Sequence, residues 1–427
     1  MSKKVLERAA EFCWATAMGT VFALGVLGCG SRSEGGGPPV DGGAGDTVLD
    51  APSREGSASD GTPSDASPPD ASADGCAPSS EATTDGGCVA VAPAGGRALA
   101  MEVNPPSGLD YATEVSVASN LGVTLVPVTL PWSTLESAAP VGGQSQIDTS
   151  LFADLATVYS TGTVSLLISI PLVDTASIEA PPDLQPGLAS GALALDDPSV
   201  ITRYETLLDS LFANLGAVKV RYLLVANEEN TYLSAKPEAM WTALASFFGT
   251  IKTYVAGKHP GVVVGMSLAF EGLLDSTAEA QIATLFASSD DVFVTYYLGD
   301  NGFGGVSSTT VPADMDTMVT FAGTRPVILK ECGYATGTTG HTEAGQVAFI
   351  TDLFQAWDTH VAEVPVVTIS RMFDDDESDC TSEAQAYGAA GNQDFIAFLC
   401  TLGVRSYADV PKLAWARLAD AAAWRGF

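Results

Sequence analysis

Leu223-Leu224-Val225-Ala226-Asn227-Glu228-Glu229-Asn230 and Val327-Ile328-Leu329-Lys330-Glu331-Cys332-Gly333-Tyr334 are apolar runs that turn polar at a glutamate. Working outward, six more short apolar runs share this form: Ala98 to Val103, Val123 to Thr129, Val164 to Ile170, Val262 to Leu268, Val292 to Tyr297 and Val366 to Ser370. With Val218 to Ala226 and Val327 to Lys330 they make eight, alternating with amphipathic stretches of helical period, the pattern of repeated βα units and a parallel sheet.

Helix signals fill the gaps. Asp197-Pro198 supplies an N-cap and a first-turn proline, Ile201, Tyr204, Leu208, Leu211 and Phe212 follow at helical spacing, and Gly216 closes the element. Further helices are predicted from about Pro237 through Trp241, Leu244 and Phe248 to Tyr254, and from Thr342 to Trp357. Eight βα units over 97–427 close into a (β/α)8 TIM barrel, whose active site lies at the C-terminal ends of its strands. The rival, an open doubly wound sheet, usually carries a glycine-rich phosphate turn after its first strand, and Glu102-Val103-Asn104-Pro105-Pro106 is unlike one.

Ahead of the barrel the character differs. From Gly30 to Gly96 the chain is Gly, Ser, Pro, Asp and Ala with almost no large apolar residue, so it cannot offset ordering entropy and reads as a disordered tether over 29–96. The Cys76 to Cys88 loop reads as the place where order begins, with a decoration of the tether as the equal alternative. Lys3, Lys4 and Arg8 followed by the apolar run Phe12 to Leu27 read as an export signal over 1–28. Its end, Val26-Leu27-Gly28-Cys29, resembles the lipobox of bacterial lipoproteins, which implies cleavage and a lipid on Cys29. Gly30 rather than Asp after that cysteine implies, by the same resemblance, the outer membrane. An uncleaved anchor is the alternative, the run being near the minimum for a span. Both place the barrel outside the cytoplasm.

The formal net charge of −32 excludes nucleic acid as a partner, since phosphates would go unneutralised. With Cys13 removed and Cys29 lipidated, five of seven cysteines remain; Cys76 pairs with Cys88, Cys380 with Cys400, and Cys332 is left over. No Cys or His cluster has zinc-ligand spacing, and neither a metal nor a cofactor is expected.

Chemistry belongs at the strand ends. Glu228 ends the fourth run and Glu331 the seventh, on opposite sides of a barrel mouth. Hydrolysis of a glycosidic bond needs two carboxyl groups flanking it, one protonated for the leaving oxygen and one ionised, about 5–5.5 Å apart for retention and about 6.5–9.5 Å for inversion. Asn-Glu after strand four with a lone Glu after strand seven resembles the clan A retaining glycoside hydrolases, the 4/7 superfamily, over the whole barrel. The resemblance implies Glu228 as acid/base, Glu331 as nucleophile and Asn227 as partner of the sugar 2-hydroxyl. Within the clan, Asn227-Glu228, Thr295-Tyr296-Tyr297 and Glu331-Cys332-Gly333-Tyr334 are most similar to endo-β-1,4-galactanases.

Glu229 competes with Glu228, but strand alternation sends neighbours to opposite faces, and the same argument turns Lys330 away from Glu331. The resemblance also implies a strand-six tyrosine bonded to the nucleophile; Tyr297 fits, two residues after the polar Thr295, with Tyr296 packing outside. Trp132 after strand two is the best-placed sugar platform, with core packing as its alternative, and Asn104 and Glu271 lie at the active face. Many clan A members end strand eight with a tryptophan. Here Thr368-Ile369-Ser370-Arg371-Met372-Phe373 leaves Phe373 or Arg371 to take that place. The acidic run Asp374 to Glu377 reads as a solvated loop, with a calcium site or a polar subsite as alternatives.

The expected function is a retaining glycoside hydrolase, a monomer cleaving β-linked poly- or oligosaccharides outside the cell and touching the membrane only through Cys29. A noncatalytic surface barrel that binds glycan is the alternative.

Overall fold

The computed structural model describes residues 80–82, 88–137, 139–142, 144–275, 278–299 and 306–427. The signal peptide, Cys29, most of the tether and Cys76 lie outside these residues, and with Cys76 its expected bond to Cys88.

Eight parallel strands form the barrel: β1 Ala98–Met101, β2 Val123–Thr129, β3 Ser165–Ser169, β4 Val220–Asn227, β5 Val263–Ala269, β6 Val292–Tyr297, β7 Val327–Gly333 and β8 Val366–Ile369. Each pairs with its chain neighbours, β8 returns to β1, and the β3–β4 pairing completes the closed ring. All eight predicted runs become strands.

Eight principal helices follow in alternation: α1 Tyr111–Asn120, α2 Ser150–Tyr159, α3 Pro198–Leu215, α4 Glu238–Lys258, α5 Glu279–Leu285, α6 Val311–Ala322, α7 Glu343–Thr359 and α8 Leu413–Arg425. The three predicted helices are α3, α4 and α7. Asp197 caps α3 by accepting the Ser199 amide at 2.8 Å, and Gly216 ends it with φ 59°, a conformation that favours glycine. Thr342 caps α7 through the Gly345 amide at 3.0 Å.

Two apolar layers follow from strand alternation. Ala98, Ala100, Leu125, Leu167, Tyr222, Leu224, Phe293, Ile328 and Val366 form one cluster, and the opposite strand faces pack against the helices in a larger one. Gly265 belongs to the first layer, where an added Cβ would lie 2.1 Å from the Phe293 ring.

Secondary structure among the described residues begins ahead of Arg97, at the Cys76 to Cys88 loop. A hairpin of Ser80–Ala82 and Cys88–Ala90 precedes β1, and its Glu81 is fully buried between Arg417 and Arg425. One buried ion-paired glutamate, a feature that composition does not announce, docks the segment.

After β8 the chain inserts two helices, Glu377–Ala386 and Gln393–Cys400, before α8. The Cys380–Cys400 disulfide ties them together, as expected, and Cys332 is a free, buried cysteine.

Candidate active site

Asn227 is the last residue of β4, and Glu228 follows in the left-handed region at φ 45°, ψ 36°. That conformation is uncommon outside glycine and persists where surrounding contacts hold it. The turn separates Glu228 from Glu229, which begins the short helix Glu229–Leu233 and is fully buried. Burial and the adjacent Glu228 charge raise the Glu229 carboxyl well above the usual range.

Two hydroxyls hold Glu228: Thr295 donates to Oε1 at 2.5 Å and Thr175 to Oε2 at 2.9 Å. Burial, then the nearby Glu331 charge, pushes its pKa up to about 7 against the lowering effect of those two bonds. Near neutrality Glu228 is therefore divided between the acid and the base form.

Glu331 lies on β7 as the register partner of Thr295 on β6. Tyr297 donates to its Oε2 at 2.7 Å, as the sequence predicted, and Lys330 holds Oε1. Burial alone would raise the Glu331 carboxyl; the Lys330 charge and hydrogen bond, the Tyr297 hydroxyl and the Arg371 charge outweigh it and hold the group below its ordinary value. The two glutamates are thus driven toward opposite protonation states, one by burial and one by cations.

The position of Lys330 corrects the alternation argument. Register shifts between Val294 and Thr295 and passes from Leu329 to Glu331, leaving Lys330 as the extra residue of a bulge. Lys330 and Glu331 consequently serve the same side of the strand. The lysine is buried, and its Nζ also donates to Asn227 Oδ1 at 2.7 Å. Asn227 receives Ser267 Oγ at 2.7 Å on the same oxygen and donates to Asp174 Oδ1 at 2.8 Å, so its amide is fixed from three sides.

Other expected contacts lie elsewhere. Trp132 is fully buried, edge-on to Tyr204 at 5.1 Å, with its indole N–H on Glu136 at 3.0 Å; it belongs to the layer between barrel and helices and is no sugar platform. Phe373 is also fully buried, beneath the Arg405 guanidinium. Asn104 accepts the Phe373 amide and donates to its carbonyl, both at 2.9 Å, tying the end of β1 to the segment after β8. Glu271 is exposed in the single turn Phe270–Leu273 after β5, apart from the carboxyl pair's hydrogen bonds. Tyr296 packs outside the barrel lining as expected, its hydroxyl on Asp314 at 2.7 Å.

The acidic run is no solvated loop. Asp374 pairs with Lys412 at 2.7 Å, Asp375 with Arg371, and Asp376 caps the helix Glu377–Ala386 through the Ser378 amide; only Glu377 is exposed. Arg371, following a cis peptide bond from Ser370, lies 3.7 Å from Glu102 and 3.5 Å from Glu383. A guanidinium with acidic neighbours therefore stands beyond β8.

The residues that sequence reasoning overlooked here are Asp174, Thr175, Glu102, Glu383 and Tyr387. Glu102 was legible as a charged residue inside a strand-one run, and Asp174 as the first acid after strand three. Glu383 sits in an inserted helix and Tyr387 caps its C-terminus, and neither carries such a signal.

No family model matches the chain, and no curated protein does. The fold is shared with solved glycoside hydrolases at low identity. GH5_18 from Bifidobacterium longum subsp. longum, solved in complex with Manβ1-4GlcNAc, superposes with a TM-score of 0.59 at 15% identity, over 77% of this chain and 78% of the other. The exo-β-1,4-mannosidase Op5Man5 from an Opitutaceae bacterium gives 0.56 at 13%, over 82% of this chain and 61% of that one. A family 39 glycoside hydrolase from the gut symbiont Bacteroides cellulosilyticus gives 0.52 at 13%, over 79% and 67%. The barrel is thus one on which glycoside hydrolases are built.

Proposed function

We propose that this chain is a clan A retaining glycoside hydrolase acting on β-linked poly- or oligosaccharides. The observation that carries the reading is the placement of two glutamates at the ends of β4 and β7, Glu228 held by the Thr295 and Thr175 hydroxyls and Glu331 by Lys330 and Tyr297, surroundings that raise the first carboxyl and lower the second. The low-identity likeness to solved glycoside hydrolases supports it further. Neutral Glu228 gives its proton to the leaving oxygen while the Glu331 carboxylate attacks the anomeric carbon, forming a glycosyl-enzyme ester and breaking the glycosidic bond. Esterification removes the Glu331 charge that helps keep Glu228 protonated, so Glu228 becomes the stronger acid and is ionised for the second step. It then takes a proton from water, the water oxygen attacks the anomeric carbon, and Glu331 leaves as carboxylate. Asn227, fixed by Asp174, Ser267 and Lys330, is placed for the sugar 2-hydroxyl.

A barrel that binds glycan without turnover has no use for carboxyls held in opposite protonation states. Purified β-linked polysaccharides and oligosaccharides, with the product anomer followed by NMR, test the reading. Retention of configuration by the parent, and loss of hydrolysis in Glu228→Gln and Glu331→Gln proteins, is the expected result; an inverted product, or hydrolysis by both variants at the parent rate, would refute it. The galactan likeness of Glu331-Cys332-Gly333-Tyr334 puts β-1,4-galactan in that screen. We further propose that Cys29 carries a lipid that holds the enzyme on the outer face of the cell; a Cys29→Ser chain recovered from the membrane fraction as fully as the parent would overturn that placement.

A further inference from the structure

The two helices inserted after β8 lie against the barrel mouth at two separated places. On the β6 side, Phe398 packs edge-on to Tyr297, ring centres 5.5 Å apart, and Tyr297 holds the nucleophile. Tyr387 caps the C-terminus of the first inserted helix, one turn beyond the Glu383 that reaches Arg371 at 3.5 Å, with its amide on the Glu383 carbonyl at 3.0 Å. This places it toward the β3 side, where Thr175, Asp174 and Glu228 act on its hydroxyl. Thr175 itself bonds Glu228 Oε2 at 2.9 Å and Asp174 Oδ1 at 3.0 Å. In the closed ring β3 is separated from β8 by β2 and β1, so a residue from the β8 insertion reaching Thr175 spans a large part of the mouth.

This crossing element is braced. Cys380–Cys400 joins the two helices, Glu383 reaches Arg371 at 3.5 Å, and the Tyr387 ring stands edge-on to Phe395 at 5.7 Å. Tyr387 as a whole is nonetheless 37% exposed. It is an aromatic surface available beside the acid/base, whereas Trp132 and Phe373 are fully buried.

An enzyme that cuts inside a glycan must let the chain leave the scissile bond on both sides. An element crossing from the β6–β8 side to β3 occupies one of those routes. We propose that the inserted helices, through Tyr387, close one end of the cleft, so that the site removes single sugars from a chain end and the Tyr387 ring is the apolar surface that the terminal sugar meets. This rests on the glycoside hydrolase reading and adds the mode of action to it.

The test uses the full chain and reducing-end-labelled hexasaccharides of β-1,4-mannan, galactan, xylan and glucan, together with the 4-nitrophenyl β-glycosides of their sugars. On whichever series is cut, the first labelled product is expected to be the pentasaccharide or the monosaccharide. Labelled trisaccharide at the earliest times overturns the proposal while leaving the hydrolase reading intact; no cleavage of any probe overturns both. Tyr387→Ala, with the disulfide retained, is expected to raise KM for the preferred nitrophenyl glycoside about tenfold with kcat within about threefold, and to let internal products appear. Tyr387→Phe keeps the ring and is expected to keep the single-sugar pattern. An alanine variant with parental KM and parental products refutes the role of the ring.

Discussion

Thr295 donates its hydroxyl to Glu228 at 2.5 Å while its backbone lies in register with Glu331, so one β6 residue stands between the two carboxyls. The hydroxyl favours the ionised form of Glu228 and so lowers a pKa that burial and Glu331 have raised to about 7. Thr295→Val keeps the shape and removes the donor, and the pKa should rise further. Protonated Glu228 is the form required for the first step. The alkaline limb of kcat/KM, expected near pH 7 in the parent, should therefore move to higher pH by about one to two units, the worth of one hydrogen bond to a charged group. An alkaline limb that stays in place would show that Glu228 is not the titrating acid.

Lys330 predicts a change at the other limb. It is the nearest cation to Glu331, and burial alone would push that carboxyl up. In Lys330→Met the Glu331 pKa should rise, so the fraction ionised at a given acidic pH falls and the acid limb of kcat/KM moves to higher pH. Asn227 also loses a donor, and kcat/KM should fall by about a hundredfold or more at the optimum. Loss of activity with an unmoved acid limb would make Lys330 a packing residue only.

The contrast between Glu331 and Lys330 shows how far the sequence could be read. Eight apolar runs and two glutamates at their ends were legible because strand composition and alternation are local properties. Lys330 was misassigned because a bulge moves one residue out of alternation, and the mismatch between β6 and β7 that creates it is a property of two strands together. Trp132 and Phe373 failed for a related reason. Position after a strand says which end of the barrel a residue occupies, but whether an aromatic ring faces sugar or core depends on partners far along the chain, here Tyr204 and Arg405. Thr175 reaches Glu228 from a loop whose backbone at φ 36° no threonine adopts by preference, which no sequence period announces.

Gly333 sets the position of Tyr297. A Cβ there would come 2.7 Å from the Tyr297 ring and 2.7 Å from the Ser370 carbonyl, closer than real contacts allow. Gly333→Ala should displace the ring that donates to Glu331, and overpacking should cost about 1–3 kcal/mol of stability as well. Tyr297→Phe removes the hydroxyl alone and should lower kcat/KM by about ten- to a hundredfold. The glycine variant should be at least as impaired in kcat/KM and, unlike the phenylalanine variant, lower in Tm. Parental kinetics in Gly333→Ala would mean that the tyrosine bond does not matter to the reaction.

Glu81 tests whether the N-terminal hairpin belongs to the folded body. It is fully buried with Arg425 at 3.0 Å and Arg417 beside it, while Arg425 also bonds Asp358 at 2.7 Å and Asp358 takes Arg97 at 3.0 Å. Glu81→Gln removes one anion from a group of three arginines and two carboxylates, leaving Asp358 alone against buried guanidiniums. Breaking a buried pair from one side costs about 3–5 kcal/mol when the remaining charge stays buried, and less if the hairpin undocks and lets water reach Arg417. These outcomes separate in experiment: denaturant unfolding reads the global loss, and limited proteolysis ahead of Arg97 reads the undocking. Arg97 precedes β1 and the proposed catalytic pair, Glu228 and Glu331, sits where strands end, so kcat/KM should stay within about threefold of the parent at a temperature where the variant is folded. A variant equal to the parent in both stability and proteolysis would show that this ion pair does not hold the hairpin.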